Sequence, residues 1–376
     1  MNNMKEVVEA KIKAKLQRGY ANVQNASERL MSEGKIARDF IFEVGTDKKG
    51  VEKRINFQPN NFGGIGSTFT MPYGFEDFTI HENAARQAAA KLGIPSAYLL
   101  GLLHGEEWQR TLGYQIMNTH NGWTDRNRIL VRAVGQEVRA FLSDQYRRLD
   151  SQMIFGVHID AVYEKKARLS DGYMSDTRVL IESLLPSPIE IVTEKNGIIF
   201  IAFGTRLISS DYGHGALDLR SFIMQGVCLN GMVRESILRE VHLGAKLPDN
   251  LALSQETYTL DSKTTASAIR DITRNLYSSE VITDRMLEIK ASTELTVDAN
   301  QMLTSLKGLN KLMKGEADDI GKILMRNDPE DGVAGEMTLW KITQGISAYA
   351  NSEGIDQERR IELQEIAGDL FNRLKN

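Results

Sequence analysis

The dipeptide Asn196-Gly197 stands between two apolar, β-branched runs, "IEIVTEK" and "IIFIAFG". Asparagine and glycine tolerate positive φ, and between strand-forming runs they predict a two-residue type I′ hairpin. A second hairpin is predicted around Gly135-Gln136, where "RILVRAV" and "EVRAFL" alternate with period two. Ile129, Val131 and Ala133 then share one face, and Arg128 and Arg132 the other. Hairpins of this kind require an antiparallel sheet.

Further strands are expected at "ARDFIFEV", "EKRINFQ", "TRVLIESLL" and "GALDLRSFIMQGVC". The Gly/Asn-rich "NNFGGIGSTFTMPYG" is expected to be a loop, and no Lys-Ser/Thr pair follows it to make a P-loop. Helical period is found over residues 4–33, with Val7, Val8, Ile12 and Leu16 on one stripe. It recurs in "FTIHENAARQAAAKLGIP", where Thr79 and Glu82 form a capping box and Gly93 and Pro95 stop the helix. A helix is predicted from near Ser151, and another over "NGMVRESILREVHLG" with Asn230 near its cap.

Beyond "KLPDN" the pattern is helical and acidic. Residues 247–376 carry 15 basic against 22 acidic side chains, and residues 1–246 carry 31 against 28. The expected fold is α+β: an antiparallel sheet core with packed helices. Its parts are an N-terminal helical arm with a β-hairpin (1–75), an α+β core domain (76–246) and an acidic helical domain (247–376). With 41% hydrophobic and 26% charged residues the composition is that of a soluble globular chain. No run of about eighteen apolar residues spans a bilayer, and the charged N-terminus does not resemble a secretory signal. The single cysteine, Cys228, fits a reducing compartment, so a cytoplasmic location without membrane contact is expected.

Catalytic chemistry finds little support. The six histidines form no H-E-x-x-H or Cys/His ligand set, so His104 and His120 are expected to be structural. Cys228 sits in an apolar run, where a free thiol is a small hydrophobe. Adjacent acids such as Glu106-Glu107 and Asp318-Asp319 point to different faces of a helix and share a metal poorly. No catalytic residue, metal or cofactor is expected.

The opposite holds for nucleic acid. Between Arg126 and Arg148 six arginines face only Glu137 and Asp144. Guanidinium forks match phosphate oxygens and aromatic faces stack unpaired bases. Arg126, Arg128, Arg132, Arg139, Arg147 and Arg148 are the candidate phosphate contacts, with Tyr146 stacking a base and Arg220, Arg234 and Arg239 as further basic candidates. The alternative is that Tyr146 packs in the core while the arginines pair with Glu137, Asp144 and Asp150.

The stretches "VRAFLSDQYRRLDS", "ISSDYGHGALDLRSFIMQGVCLNGMV" and "REVHLGAKL" together resemble the phage/plasmid-like family known as domain of unknown function 932. The Arg139–Tyr146 segment and the set Cys228, Asn230, Gly231, Met232, His242 and Gly244 carry the resemblance. The middle segment, Ser209 to Gly213, departs from the family's Asn-Ser-Glu-x-Gly pattern. The match runs over about residues 76–247, and "MTLWKITQGISAYAN" also resembles family tails. The resemblance implies a mobile-element protein in a bacterial host cell, engaged in DNA replication, recombination or evasion of host defence. The order of elements is also compatible with ring-forming strand-annealing proteins. The expected function is therefore non-catalytic binding of single-stranded DNA, as a homo-oligomer. A module that docks a host or phage protein, such as an inhibitor of a host defence factor, is the alternative, motivated by the acidic C-terminal segment. Cys228 is expected to be buried, and Asn230 to make a backbone hydrogen bond in a turn or cap.

Overall fold

A computed structural model describes all residues except 1, 47–49, 51, 61–63, 72–73, 121–127, 145, 147–150, 227–230, 241–254, 329–332 and 376. The chain opens with α1 (Asn2–Ile36) and β1 (Ala37–Glu43), then the short strands β2 (Gly45–Thr46), β3 (Glu52–Lys53) and β4 (Ile55–Pro59). β5 (Ile65–Met71) and β6 (Gly74–Ile80) lead into α2 (Glu82–Lys91), α3 (Ser96–Leu103) and α4 (Glu107–Thr119). Next come β7 (Arg128–Val134), β8 (Glu137–Ser143) and α5 (Ser151–Glu164). The strands β9 (Arg168–Met174), β10 (Val179–Leu184), β11 (Ile189–Val192), β12 (Ile198–Ser209), β13 (Leu217–Gln225) and β14 (Gly231–Glu240) follow. Helices complete the chain: α6 (Gln255–Leu276), α7 (Ser279–Glu294), α8 (Ala299–Gly308), α9 (Lys314–Arg326), α10 (Leu339–Ala350), α11 (Gln357–Asp369) and a terminal 3-10 turn (Leu370–Lys375).

The fold is α+β, with two separate sheets. The first has the order β1-β7-β8-β6-β5-β4 and the second β14-β13-β12-β10-β9, with β11 also paired to β12. Pairing is antiparallel throughout the second sheet. The first contains one parallel pair, β6 with β8, because α2 to α4 and β7 intervene between them.

Both predicted hairpins form. β7 and β8 turn at Gly135-Gln136, where only the glycine takes positive φ (58°), the pattern of a type II′ turn. At the other hairpin the two-residue type I′ turn is replaced by a five-residue loop. Val192 pairs with Ile198, and the Thr193 N–H donates to the Gly197 carbonyl at 2.9 Å. The Thr193 hydroxyl donates to the same carbonyl at 2.7 Å and accepts from the Asn196 N–H at 3.2 Å. That side-chain bridge widens the loop, and Gly197 alone takes positive φ (64°).

Three expectations are corrected. The Gly/Asn-rich segment is not one loop: it contains β5 and the first residue of β6, because Ile65 and Phe69 enter the first core and β5 pairs with strands on both sides. The helix after it is capped by His81, whose Nδ1 accepts from the Asn83 N–H at 3.1 Å, while Thr79 belongs to the strand. Residues 231–240 are a strand, not a helix. Pairing with β13, through two irregularities of register, outweighs their helical spacing. Cys228, Asn230 and His242 lie outside the described residues.

Each sheet has its own core. Phe57, Phe69, Phe141, Val131 and Ala85 fill the first, beneath α2 to α4. The core of the second joins Phe203, Leu219 and Ile154 to Ile320, Trp340 and Leu363, taking side chains from both sides of Lys246. The first sheet likewise crosses residue 75, since Thr70 pairs with Phe75.

Candidate nucleic-acid interface

The arginines of the β7–β8 hairpin alternate as the sequence predicts, yet the face they occupy is covered. Leu130, Val134, Ala140, Leu142 and Tyr212 form a small core there, with Tyr146 packed against it. Arg132, 8% exposed, sits within it. Strand register places it opposite Asp39 of β1, and its fork takes both carboxylate oxygens at 2.9 Å. It also donates to the Asp211 carbonyl. Burial alone would lower this guanidinium, but the Asp39 carboxylate and the charge of Asp211 together outweigh it and hold the group above its usual value.

Arg139, 7% exposed, is a hub between the sheets. It donates to Glu137 at 2.9 Å and to Glu33 of α1 at 2.5 Å, and reaches the Asp176 carbonyl at 3.3 Å. Its guanidinium lies 5.7 Å from the centre of the Tyr212 ring. Arg220 is held by Asp218 at 2.6 Å and stands 3.6 Å from Glu365. Burial pushes the Glu365 carboxyl up, against Arg220 and Arg206. A guanidinium turned inward onto carboxylates has little left to offer a phosphate, so Arg132, Arg139 and Arg220 act as structural struts.

Of the other predicted residues, Arg128 is exposed, 4.0 Å from Asp144. Tyr146 is partly buried, its hydroxyl donating to the Ser210 carbonyl at 3.3 Å. Burial raises its phenol well above the ordinary value. Arg234 and Arg239 stand on β14, Arg239 opposite Asp218 in register. Arg126, Arg147 and Arg148 lie outside the described residues. The hairpin thus brings Arg132 and Tyr146 together, but around a core.

A different corner of the molecule is basic, aromatic and open. α1 lies directly along β9: a Cβ on Gly19 would sit 1.7 Å from the Ser170 carbonyl oxygen, and one on Gly172 would sit 2.6 Å from the Val23 Cα. Asn22 donates to Asp171 at 2.8 Å, and Lys15 stands 3.8 Å from the same carboxylate. This register carries Tyr20 to the end of α5, beside Tyr163. The two residues are 48% and 40% exposed. Burial and the neighbouring Tyr20 push the Tyr163 phenol up, while Arg168 pulls it down. The Arg168 guanidinium lies 5.6 Å from the centre of the Tyr163 ring.

The end of α5 shapes this corner. The Ala167 N–H donates to the Val162 carbonyl at 3.1 Å and the Lys166 N–H to the Tyr163 carbonyl at 3.0 Å, which is a Schellman closure. The closing position takes left-handed backbone and is usually glycine, but here it is Lys166, with φ 60°. Lys165, Lys166 and Arg168 are exposed around Tyr163, as are Lys13 and Arg18 on the α1 side. The acidic neighbours Glu164 and Asp171 are held by Arg274 and Lys15, and Asp160 lies a turn back on α5. Two sequence signals point here, "KIKAKLQRGY" and "YEKKAR". Each places lysines beside a tyrosine, but only the α1–β9 contact makes them one surface.

Among the described residues no group of His, Cys, Asp and Glu is arranged to hold a metal ion, and no helix is long and apolar enough to cross a membrane. No family model matches the chain, and neither a curated protein nor a solved structure matches it. The resemblance to domain of unknown function 932 rests on its quoted segments alone.

Proposed function

We propose that this protein binds single-stranded nucleic acid without catalysis, on the corner formed by Tyr20, Tyr163, Lys165, Lys166 and Arg168, with Lys13 and Arg18 extending it along α1. The observation that carries this reading is the pair of half-exposed tyrosines ringed by cations, one with a guanidinium over its face. Unpaired bases stack on such rings whatever their sequence, and the cations neutralise the backbone between them. Duplex DNA keeps its bases inside and gains only the charge term. DNA metabolism of a phage or plasmid, as an oligomer, is the setting that the resemblance to the mobile-element family implies.

The test is fluorescence anisotropy with a labelled oligothymidylate and a duplex of equal length across a salt series. Wild type should prefer the single strand. Lys165→Glu with Arg168→Glu should weaken binding at least tenfold and flatten the salt slope by about 0.7 per lost phosphate contact. Tyr163→Ala should remove the preference for single strands. Absence of binding at low salt rejects the reading.

A second reading, docking of a protein partner, is favoured by exposed Met325, which lines the groove between α8 and α9, and by exposed Leu309 and Met313 in the turn that joins these helices. Its test is capture from nuclease-treated host lysate. A stoichiometric protein lost in Met325→Glu supports it, and none being captured counts against it.

A further inference from the structure

On α10, Trp340, Gln344 and Ser347 recur at i, i+4 and i+7, one face of the helix. Trp340 fixes where this face points: its ring meets Phe371 of the terminal 3-10 turn edge-on, with centres 6.3 Å apart. Gln344 and Ser347 are wholly buried. Neither end of the Gln344 carboxamide, nor the Ser347 hydroxyl, meets a hydrogen-bonding group among the described residues. Asn372, next to Phe371, leaves its buried Oδ1 unpaired as well. Arg285 of α7 does the same with Nε, and α7 packs against both α10 and the 3-10 turn. Orphan polar atoms thus sit on three elements in mutual contact.

The chemistry of these atoms selects a ligand. The Gln344 amide nitrogen and Arg285 Nε donate, Gln344 Oε1 and Asn372 Oδ1 accept, and the Ser347 hydroxyl does either. Water, with two protons and two lone pairs, bridges such a mixed set. An ion does not suit it: the only charge among these four residues, on Arg285, is already met by Glu288 at 2.6 Å. An apolar ligand would leave every one of these atoms unpaired. We propose that Gln344, Ser347, Asn372 and Arg285 hold a cluster of bound water that fastens the terminal 3-10 turn and α7 to α10.

The test is an experimental structure of the full chain at a resolution that shows water, joined to thermal melts of Gln344→Met and Ser347→Ala. Density within hydrogen-bond distance of the Gln344 carboxamide and of Ser347 or Asn372 is expected, together with a lower melting temperature for both variants. A dry interface in which the carboxamide bonds to protein overturns the proposal. So does a rise in melting temperature for Gln344→Met, since removing an amide that holds nothing relieves the chain. If Gln344→Met does not fold, the density and Ser347→Ala decide.

Discussion

Arg132 and Asp39 stand opposite each other on neighbouring strands and share a two-pronged ion pair, Nε to Oδ1 and Nη2 to Oδ2, each at 2.9 Å. The pair lies beneath Tyr146 and the 210–212 segment, so removing one member strands the other charge inside. Arg132→Leu should cost about 3–5 kcal/mol, and Asp39→Leu added to it should recover part of that loss. Urea unfolding of the single and double variants measures this. Oligonucleotide affinity of the folded Arg132→Leu protein should match wild type. A selective loss of affinity would return Arg132 to the binding surface.

Lys166 closes α5 in the left-handed region, where a side chain is strained. Lys166→Gly should therefore stabilise the fold by about 1 kcal/mol, a rise of about 2 °C in melting temperature. The same change removes a cation from beside Tyr163, so oligonucleotide affinity should fall. Stability and binding moving in opposite directions is the expected signature. An unchanged affinity would mean that the lysine plays no part in binding.

What was legible in the sequence was local. The alternation of "RILVRAV" and "EVRAFL" around Gly135 specified a hairpin, because period and turn chemistry lie within a few residues. The fate of its arginines was not legible. Arg139 owes its burial to Glu33 and Asp176, and Arg132 to Asp39 and the Asp211 carbonyl, all distant in sequence. Charge density alone marked these residues, and it does not distinguish a strut from a surface. The segment 231–240 resembles a helix for a related reason: Val233, Ile237 and Leu238 fit helical spacing, and only β13 alongside makes the segment a strand. Tyr20 and Tyr163 lie in two separate lysine-rich stretches, and the close approach of α1 to β9, Gly19 against Ser170 and Gly172 against Val23, joins them.

That contact has no room to give. The atom facing a new Cβ at Gly19 is a backbone carbonyl oxygen at 1.7 Å, which cannot rotate aside. Gly19→Val should push α1 off β9 and cost about 3 kcal/mol through overpacking. Limited proteolysis should then cut within α1 before the rest of the chain. Because Tyr20 moves with α1, single-strand preference should weaken while duplex binding through Lys165 and Arg168 persists. Protection of α1 equal to wild type would refute the register.

His158 gives the last prediction. It is wholly buried on α5, with Nδ1 2.9 Å from the Thr273 hydroxyl and Nε2 3.5 Å from that of Thr205. The Thr205 hydroxyl also bonds Ser183 at 2.7 Å, and Ser183 bonds Tyr277 at 2.7 Å, so hydroxyls surround the ring and, among the described residues, no carboxylate compensates a charge there. Burial pushes the imidazole down to about 3. In the unfolded chain it titrates near 6.5. Below about pH 6.5 the unfolded chain therefore binds a proton that the folded one refuses, and stability falls as pH falls, by about 1.4 kcal/mol per pH unit until the folded group titrates. Above that pH the group adds no slope. His158→Gln, neutral at every pH, isolates the effect. Its urea-derived stability should converge on, then exceed, that of wild type as pH drops from 7 to 4, whatever the surface carboxylates contribute to both. Parallel profiles would show that the folded imidazole accepts its proton at an ordinary pH, and that the hydroxyl cage does not exclude charge.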